Sequence, residues 1–127
     1  MNQTTLFVCA LCRFSPTEKS RQGVSGGEYL IAQLRTQLAA HNLSNAVQLE
    51  PLRCMAACSQ PCNVSLAAPG KLTYILSGVA AAEDAATVAE FCAQYSDSHD
   101  GRVPYRDRAA AIRQATAFVL PPLPVKA

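Results

Sequence analysis

The sequence predicts an α/β protein, a mixed four-stranded sheet covered by two main helices and followed by a C-terminal extension, and three observations point there. Short β-branched and apolar runs alternate with longer stretches whose apolar residues recur at helical spacing. Turn chemistry falls between those segments, as in Ala68-Pro69-Gly70-Lys71 and Asp100-Gly101. Half of the 127 residues are hydrophobic, enough for one domain with a real core and no obligatory cross-links.

Thr4–Val8 (TTLFV) is β-branched and apolar and reads as the first strand. Phe14–Gly27 carries Pro16, Gly23, Gly26 and Gly27 and is too glycine-rich to be regular. From Gly27 to His41 the residues Leu30, Ile31, Leu34 and Leu38 lie on one helical face, with Glu28 in the first turn. Ala46–Leu52 alternates Val47 and Leu49 with Gln48 and Glu50, the pattern of a half-buried strand. Cys62–Leu66 and Leu72–Leu76 flank the Pro-Gly turn and make a hairpin. Ala80–Tyr95 is alanine-rich and places Val88, Phe91 and Cys92 together as a second helix. Arg106–Phe118 is expected to form one more short helix before Pro121-Pro122-Leu123-Pro124. The expected organisation is therefore a domain over residues 1–100 and an extension over 101–127.

The net charge of +2 hides an asymmetry. Residues 1–100 carry six Lys/Arg against eight Asp/Glu, whereas residues 101–127 carry five basic residues (Arg102, Arg106, Arg108, Arg113, Lys126) against Asp107 alone. A basic tail on a mildly acidic body suits docking to an acidic partner protein. The tail lacks aromatic–basic interleaving and the body lacks a basic stripe, so nucleic acid is not the expected partner. No apolar run is as long as a membrane span, and MNQTTLFVCALCRF has no basic region ahead of a long apolar stretch. A cytoplasmic, reducing setting is the expectation, and in it clustered cysteines more often bind metal or do chemistry than form bridges.

Five of the six cysteines fall in two tight groups, Cys9-Ala10-Leu11-Cys12 and Cys54-Met55-Ala56-Ala57-Cys58-Ser59-Gln60-Pro61-Cys62. A strand–helix–strand crossover puts the ends of the first two strands at the same sheet edge, and each group begins at one of those ends. Such short gaps let the sulfurs of one loop point at a common centre. Cys9, Cys12, Cys54 and Cys58 supply four donors, the number for a tetrahedral zinc site or for a [2Fe–2S] cluster, with Cys62 as an alternate ligand or a thiol just outside the ligand set. Arg13 and Arg53 lie beside these thiols and suit the charge of a four-thiolate site. A thiol–disulfide pair made of Cys9 and Cys12 is a third use, but it leaves three cysteines idle. Structural zinc is commonest in modules that cannot fold without it, whereas this chain has its own sheet and helices. Cys92 reads as a core thiol, and His41 and His99 have no partner at ligand spacing.

These residues carry a resemblance. Leu6-Phe7-Val8-Cys9 at a strand end, Arg53-Cys54-Met55-Ala56-Ala57-Cys58 and the following strand with Tyr74 resemble the thioredoxin-like [2Fe–2S] ferredoxins. Cys9, Cys54 and Cys58 match that pattern by position, and Cys12 by role, because the second cysteine of those ferredoxins lies further along its loop. The whole chain is also similar to a bacterial family of predicted metal-binding proteins with a thioredoxin-like fold and no established activity. The shared segments are Cys9/Cys12, Cys54/Cys58/Pro61/Cys62, Ala68-Pro69-Gly70-Lys71-Leu72-Thr73-Tyr74, and the run from Asp100 through Val103-Pro104 to Arg106 and Arg108. The ferredoxin resemblance implies a thioredoxin-like fold, a [2Fe–2S] cluster, single-electron transfer to a redox partner protein and, as is frequent among such ferredoxins, a homodimer. The second resemblance implies only a metal, for which zinc or cobalt is the alternative. Neither implies a catalytic residue.

Overall fold

In the strand Thr4–Cys9 (β1), Leu6 and Val8 are fully buried while Thr5 and Phe7 are partly exposed, the period of two that places one strand face on a core. A computed structural model of the protein describes residues 4–10, 17–18, 20–52, 62–81 and 83–122. A two-residue hairpin, Ser20–Arg21 (β2) with Val24–Ser25 (β3), precedes the helix Gly26–Ala40 (α1). Then come the strands Val47–Leu52 (β4), Val64–Ala67 (β5) and Thr73–Leu76 (β6), and the helix Ala85–Asp97 (α2). A single 3-10 turn at Tyr105–Asp107 leads to the helix Ala110–Ala115 (α3) and the strand Thr116–Leu120 (β7).

The larger sheet has the order β4-β1-β5-β6-β7. β4 runs parallel to β1, joined to it through α1, and β5, β6 and β7 are each antiparallel to the strand before them. Leu30, Leu34 and Leu38 of α1 and Val88, Phe91, Cys92 and Tyr95 of α2 share one core with Leu6, Val8, Val64, Leu66, Tyr74 and Leu76. The two helices pack against each other over that core. Among the described residues no helix is long and apolar enough to cross a membrane.

Three elements differ from the sequence reading. The sheet has five strands where four were expected, because Thr116–Leu120 pairs with β6 instead of finishing a helix over 106–118. The Thr116 hydroxyl donates to the Ile112 carbonyl at 2.7 Å and ends α3, and the run Thr-Ala-Phe-Val-Leu that follows has strand propensity. The second helix starts at Ala85 instead of Ala80, since ahead of it the Asp84 carboxylate accepts from the Ala80 N–H at 2.9 Å and the Asp84 N–H donates back to the Ala80 carbonyl at 3.0 Å. The glycine-rich segment contains the β2–β3 hairpin, whose two central residues, Gln22 and Gly23, have φ of 52° and 79°. Positive φ at both positions is the requirement of the tightest hairpin turn, met here at one site by a non-glycine residue.

The second half of the chain is locked to the sheet by polar groups. The Tyr74 hydroxyl accepts from the Val103 N–H at 3.1 Å, and the Tyr95 hydroxyl donates to the Leu72 carbonyl at 2.6 Å. Buried Lys71 donates from Nζ to the carbonyls of Tyr95 (3.2 Å) and Ser96 (3.1 Å) at the end of α2, where the helix dipole favours a cation. Gly101, with φ of 81°, lets the chain cross here, and a Cβ on it would lie 2.9 Å from Lys71 Cβ.

Candidate metal centre

Strand register builds the site. Cys9, the last residue of β1, lies opposite Leu52, the last residue of β4, and the Ala10 N–H donates to the Leu52 carbonyl at 2.7 Å. On the other side, the Cys9 N–H donates to the Asn63 carbonyl at 3.0 Å. Cys9 is thus held between the residue where the chain leaves toward Cys54 and the residue that follows Cys62. Cys62 is paired through its backbone with Val79, N–H to carbonyl in both directions at 2.8 and 3.0 Å, and is fully buried. Cys9 is buried as well. Buried Asn63, between Cys62 and β5, accepts at Oδ1 from the Ser77 hydroxyl at 2.7 Å.

The N-terminus of α1 rests on the same place. Ser25 caps the helix: its Oγ accepts from the Glu28 N–H at 3.1 Å, and the Glu28 carboxylate accepts from the Ser25 N–H at 3.0 Å. The Ser25 hydroxyl donates to the Ala10 carbonyl at 2.7 Å. A Cβ on buried Gly27 would lie 2.0 Å from the Cys9 carbonyl oxygen and 2.7 Å from the Ala10 carbonyl carbon. Only glycine lets the first turn of α1 approach so closely. The positive end of a helix favours negative charge in its vicinity, and thiolates are such charges.

Of the five cysteines singled out in the sequence, Cys9 and Cys62 are brought to one sheet edge. Cys12, Cys54 and Cys58 lie outside the described residues, as do Arg13 and Arg53. Among the described residues no group of three or more His, Cys, Asp and Glu side chains converges on one point. Cys92 sits in the core on α2, where burial pushes its thiol up to about 12 and keeps it neutral. His41 follows the last residue of α1, its N–H bonded to the Gln37 carbonyl at 3.0 Å, and His99 is exposed. Ser25, Gly27, Asn63 and Ser77 shape the site but were not singled out from the sequence. The one available signal was Ser25 three residues before Glu28, the spacing of a capping box.

Residues 6–122, from β1 to just past β7, match the family described as "Protein of unknown function (DUF1636)". The chain belongs to the DUF1636 family. Its match takes in both the cysteine edge and the polar lock around Tyr74, and its description names neither a metal nor a fold. No curated protein matches this DUF1636 chain.

Proposed function

We propose that this DUF1636 protein is a small electron-transfer protein of thioredoxin-like fold that holds a [2Fe–2S] cluster through Cys9, Cys12, Cys54 and Cys58. The observation that carries the reading is the pair of backbone hydrogen bonds flanking Cys9, one to Leu52 and one to Asn63. The segment bearing Cys54 and Cys58 therefore departs from, and returns to, the sheet edge where β1 ends. At about 3.6 Å per residue, chain length alone keeps the Cα of Cys54 within about 7 Å of that of Leu52, and the Cα of Cys12 within about 11 Å of that of Cys9. A strand–helix–strand half and a hairpin–helix half sharing one mixed sheet support the thioredoxin-like reading.

The described residues suit such a group. Cys9 and Cys62 are sheltered from water, the capped end of α1 presses on the Cys9 backbone, and Asn63 and Ser77 hold the facing strand. Thiolates in a dry, hydrogen-bonded setting are the ligands iron–sulfur clusters use. When bound, the cluster supplies a centre that takes up and gives back one electron. The protein's part is to exclude water and fix the thiols.

A zinc- or cobalt-holding role uses the same cysteines and the same number of donors, and buried Cys62 is one thiol more than either group requires. Anaerobic purification separates the readings. The electron carrier is red-brown, contains iron and sulfide in equal amounts, and bleaches with dithionite. Cys9→Ser should lose the colour while Cys92→Ala keeps it. Colourless protein loaded with zinc overturns the cluster. Disulfide-reductase activity that depends on Cys12 and survives Cys58→Ser would favour the thiol pair instead.

A further inference from the structure

Four arginines lie within residues 102–113, and among the described residues only one of them, Arg102, makes an ion pair, at 3.7 Å to Asp100. Two of the others, Arg108 and Arg113, flank Tyr105, which is 66% exposed. The guanidinium carbon of Arg108 lies 5.6 Å from the Tyr105 ring centroid and that of Arg113 lies 5.5 Å from it. Arg108 is further fixed by Nε donating to the Val103 carbonyl at 2.9 Å and by the Tyr74 ring at 5.2 Å. Arg113 reaches the Tyr105 carbonyl from NH1 at a long 3.5 Å. Arg106 is exposed and makes no side-chain contact of this kind. Tyr105 stands between Arg102 and Arg106 in the sequence, and the 3-10 turn and α3 bring Arg108 and Arg113 to its ring.

The end of α3, the helix that carries Arg113, is linked toward the cysteine edge. The Ala115 carbonyl, two residues past Arg113, accepts from the Ser77 N–H at 2.8 Å. The Ser77 hydroxyl donates to Asn63, the neighbour of Cys62. The C-terminus of α3 is therefore tied, through two hydrogen bonds, to Asn63, whose carbonyl accepts from the Cys9 N–H.

We propose that Tyr105, Arg106, Arg108 and Arg113 form a docking surface for a carboxylate-rich patch on a partner protein. That this partner is a redox protein rests on the electron-transfer reading above. Charge complementarity selects the occupant. Within residues 103–113 three arginines stand against one carboxylate, Asp107, so this segment carries surplus positive charge. Planar guanidiniums pair carboxylates through two parallel hydrogen bonds, and the stacking of Arg108 and Arg113 on Tyr105 orders them before the partner arrives. Single-stranded nucleic acid would need an open aromatic platform, and two guanidiniums already occupy the surroundings of this ring.

The test uses the full-length purified protein and two fluorescein-labelled probes, an oligoglutamate peptide and an oligothymidylate, followed by anisotropy at low salt. The Arg106→Ala/Arg113→Ala double variant should bind oligoglutamate about tenfold more weakly, as expected for two surface charge pairs at the upper end of their usual strength. Arg35→Ala, at the β4 edge of the sheet, should change binding less than about twofold, and oligothymidylate should bind more weakly than oligoglutamate. Unchanged oligoglutamate binding in the double variant overturns the proposal. So does tighter oligothymidylate binding that the same two substitutions abolish. Colour is read on the same samples. Colourless protein whose peptide binding still depends on Arg106 and Arg113 keeps the docking surface and removes the electron carrier, whereas red-brown protein indifferent to both arginines removes the docking surface alone.

Discussion

Gly27 links the helix and the cysteine edge more directly than any other residue. Its hydrogen faces the backbone of Cys9 and Ala10, and a methyl group there would sit 2.0 Å from the carbonyl oxygen of Cys9 in β1, which lies between β4 and β5. A flexible side chain could swing away from such a contact, but this oxygen belongs to a strand bonded on both sides. Either α1 or β1 must move. Overpacking of this kind costs about 1–3 kcal/mol, and Gly27→Ala belongs at the upper end because backbone must shift. Urea unfolding should show a loss of at least about 2 kcal/mol, offset only slightly by the better helix propensity of alanine. A variant as stable as wild type would mean that α1 does not rest on Cys9. Nothing local in the sequence reveals this contact. Gly27 reads there as a helix boundary, because its partner lies a loop and a hairpin away. The parallel pairing that sets Cys9 beside Leu52 was legible, since strand ends follow from hydrophobic pattern and crossover rules. The approach of Cys62 comes instead from the antiparallel pairing of β1 with β5, which no crossover rule predicts. The clamp of Asn63 by Ser77 was not legible either, since it depends on which residues of β5 and β6 face each other, and only register decides that.

At the level of elements, the motif residues of the second half act as the joint between hairpin, α2 and C-terminal segment. The Pro-Gly turn was legible because Pro69 and Gly70 (φ 74°) dictate local geometry, and the Lys71 N–H closes it onto the Ala68 carbonyl at 3.1 Å. What the turn is for was not legible, because Lys71, Tyr74 and Asp100–Val103 meet only after α2 returns the chain. Thr116–Leu120 was misread for a related reason. A short apolar run after a helical pattern fits helix or strand equally well, and pairing with β6 decides it. The joint predicts an order of effects. Tyr74→Phe keeps the ring edge-on to Phe91 at 5.1 Å but strips the acceptor from the buried Val103 N–H, which should cost about 1–3 kcal/mol. Lys71→Met also removes hydrogen bonds, yet it relieves a buried charge and leaves only carbonyls short of a donor, so the loss should be about 1 kcal/mol or less. Chemical denaturation of both variants checks the order, and a larger loss for Lys71→Met would show that the cation at the end of α2, not the tyrosine, holds the joint.

Across the whole molecule, the titrating groups make stability lopsided in pH. The two described carboxylates held below their ordinary range, Glu18 by its hydrogen bond to Arg21 and Asp100 by the Arg102 N–H, are open to solvent over about half of each side chain. Their contribution is present at neutral pH and is lost as pH falls through their lowered pKa, but solvent screens it and the acid limb should be shallow. The alkaline limb is governed by the core. Burial raises the Cys92 thiol from an ordinary 9.0 to about 12 and the Tyr95 phenol from 10.0 to about 12. The neutral forms are the ones the fold accepts, so each contribution is complete below the ordinary value and is lost as pH climbs toward about 12. Ionisation of the unfolded chain then pulls the equilibrium toward unfolding, Cys92 first and Tyr95 about one pH unit later. Stability should therefore hold up to about pH 9 and fall between there and pH 12. Cys92→Ala tests this without touching the cysteine edge. The variant begins less stable at neutral pH, because a small cavity replaces the thiol. Between pH 9 and 10 it should lose stability more slowly than wild type, since only Cys92 of the two core groups has begun to titrate there. Urea unfolding at several pH values supplies both curves. Parallel curves through that interval would place the Cys92 thiol in contact with water and remove it from the packed face that α2 presents to the sheet.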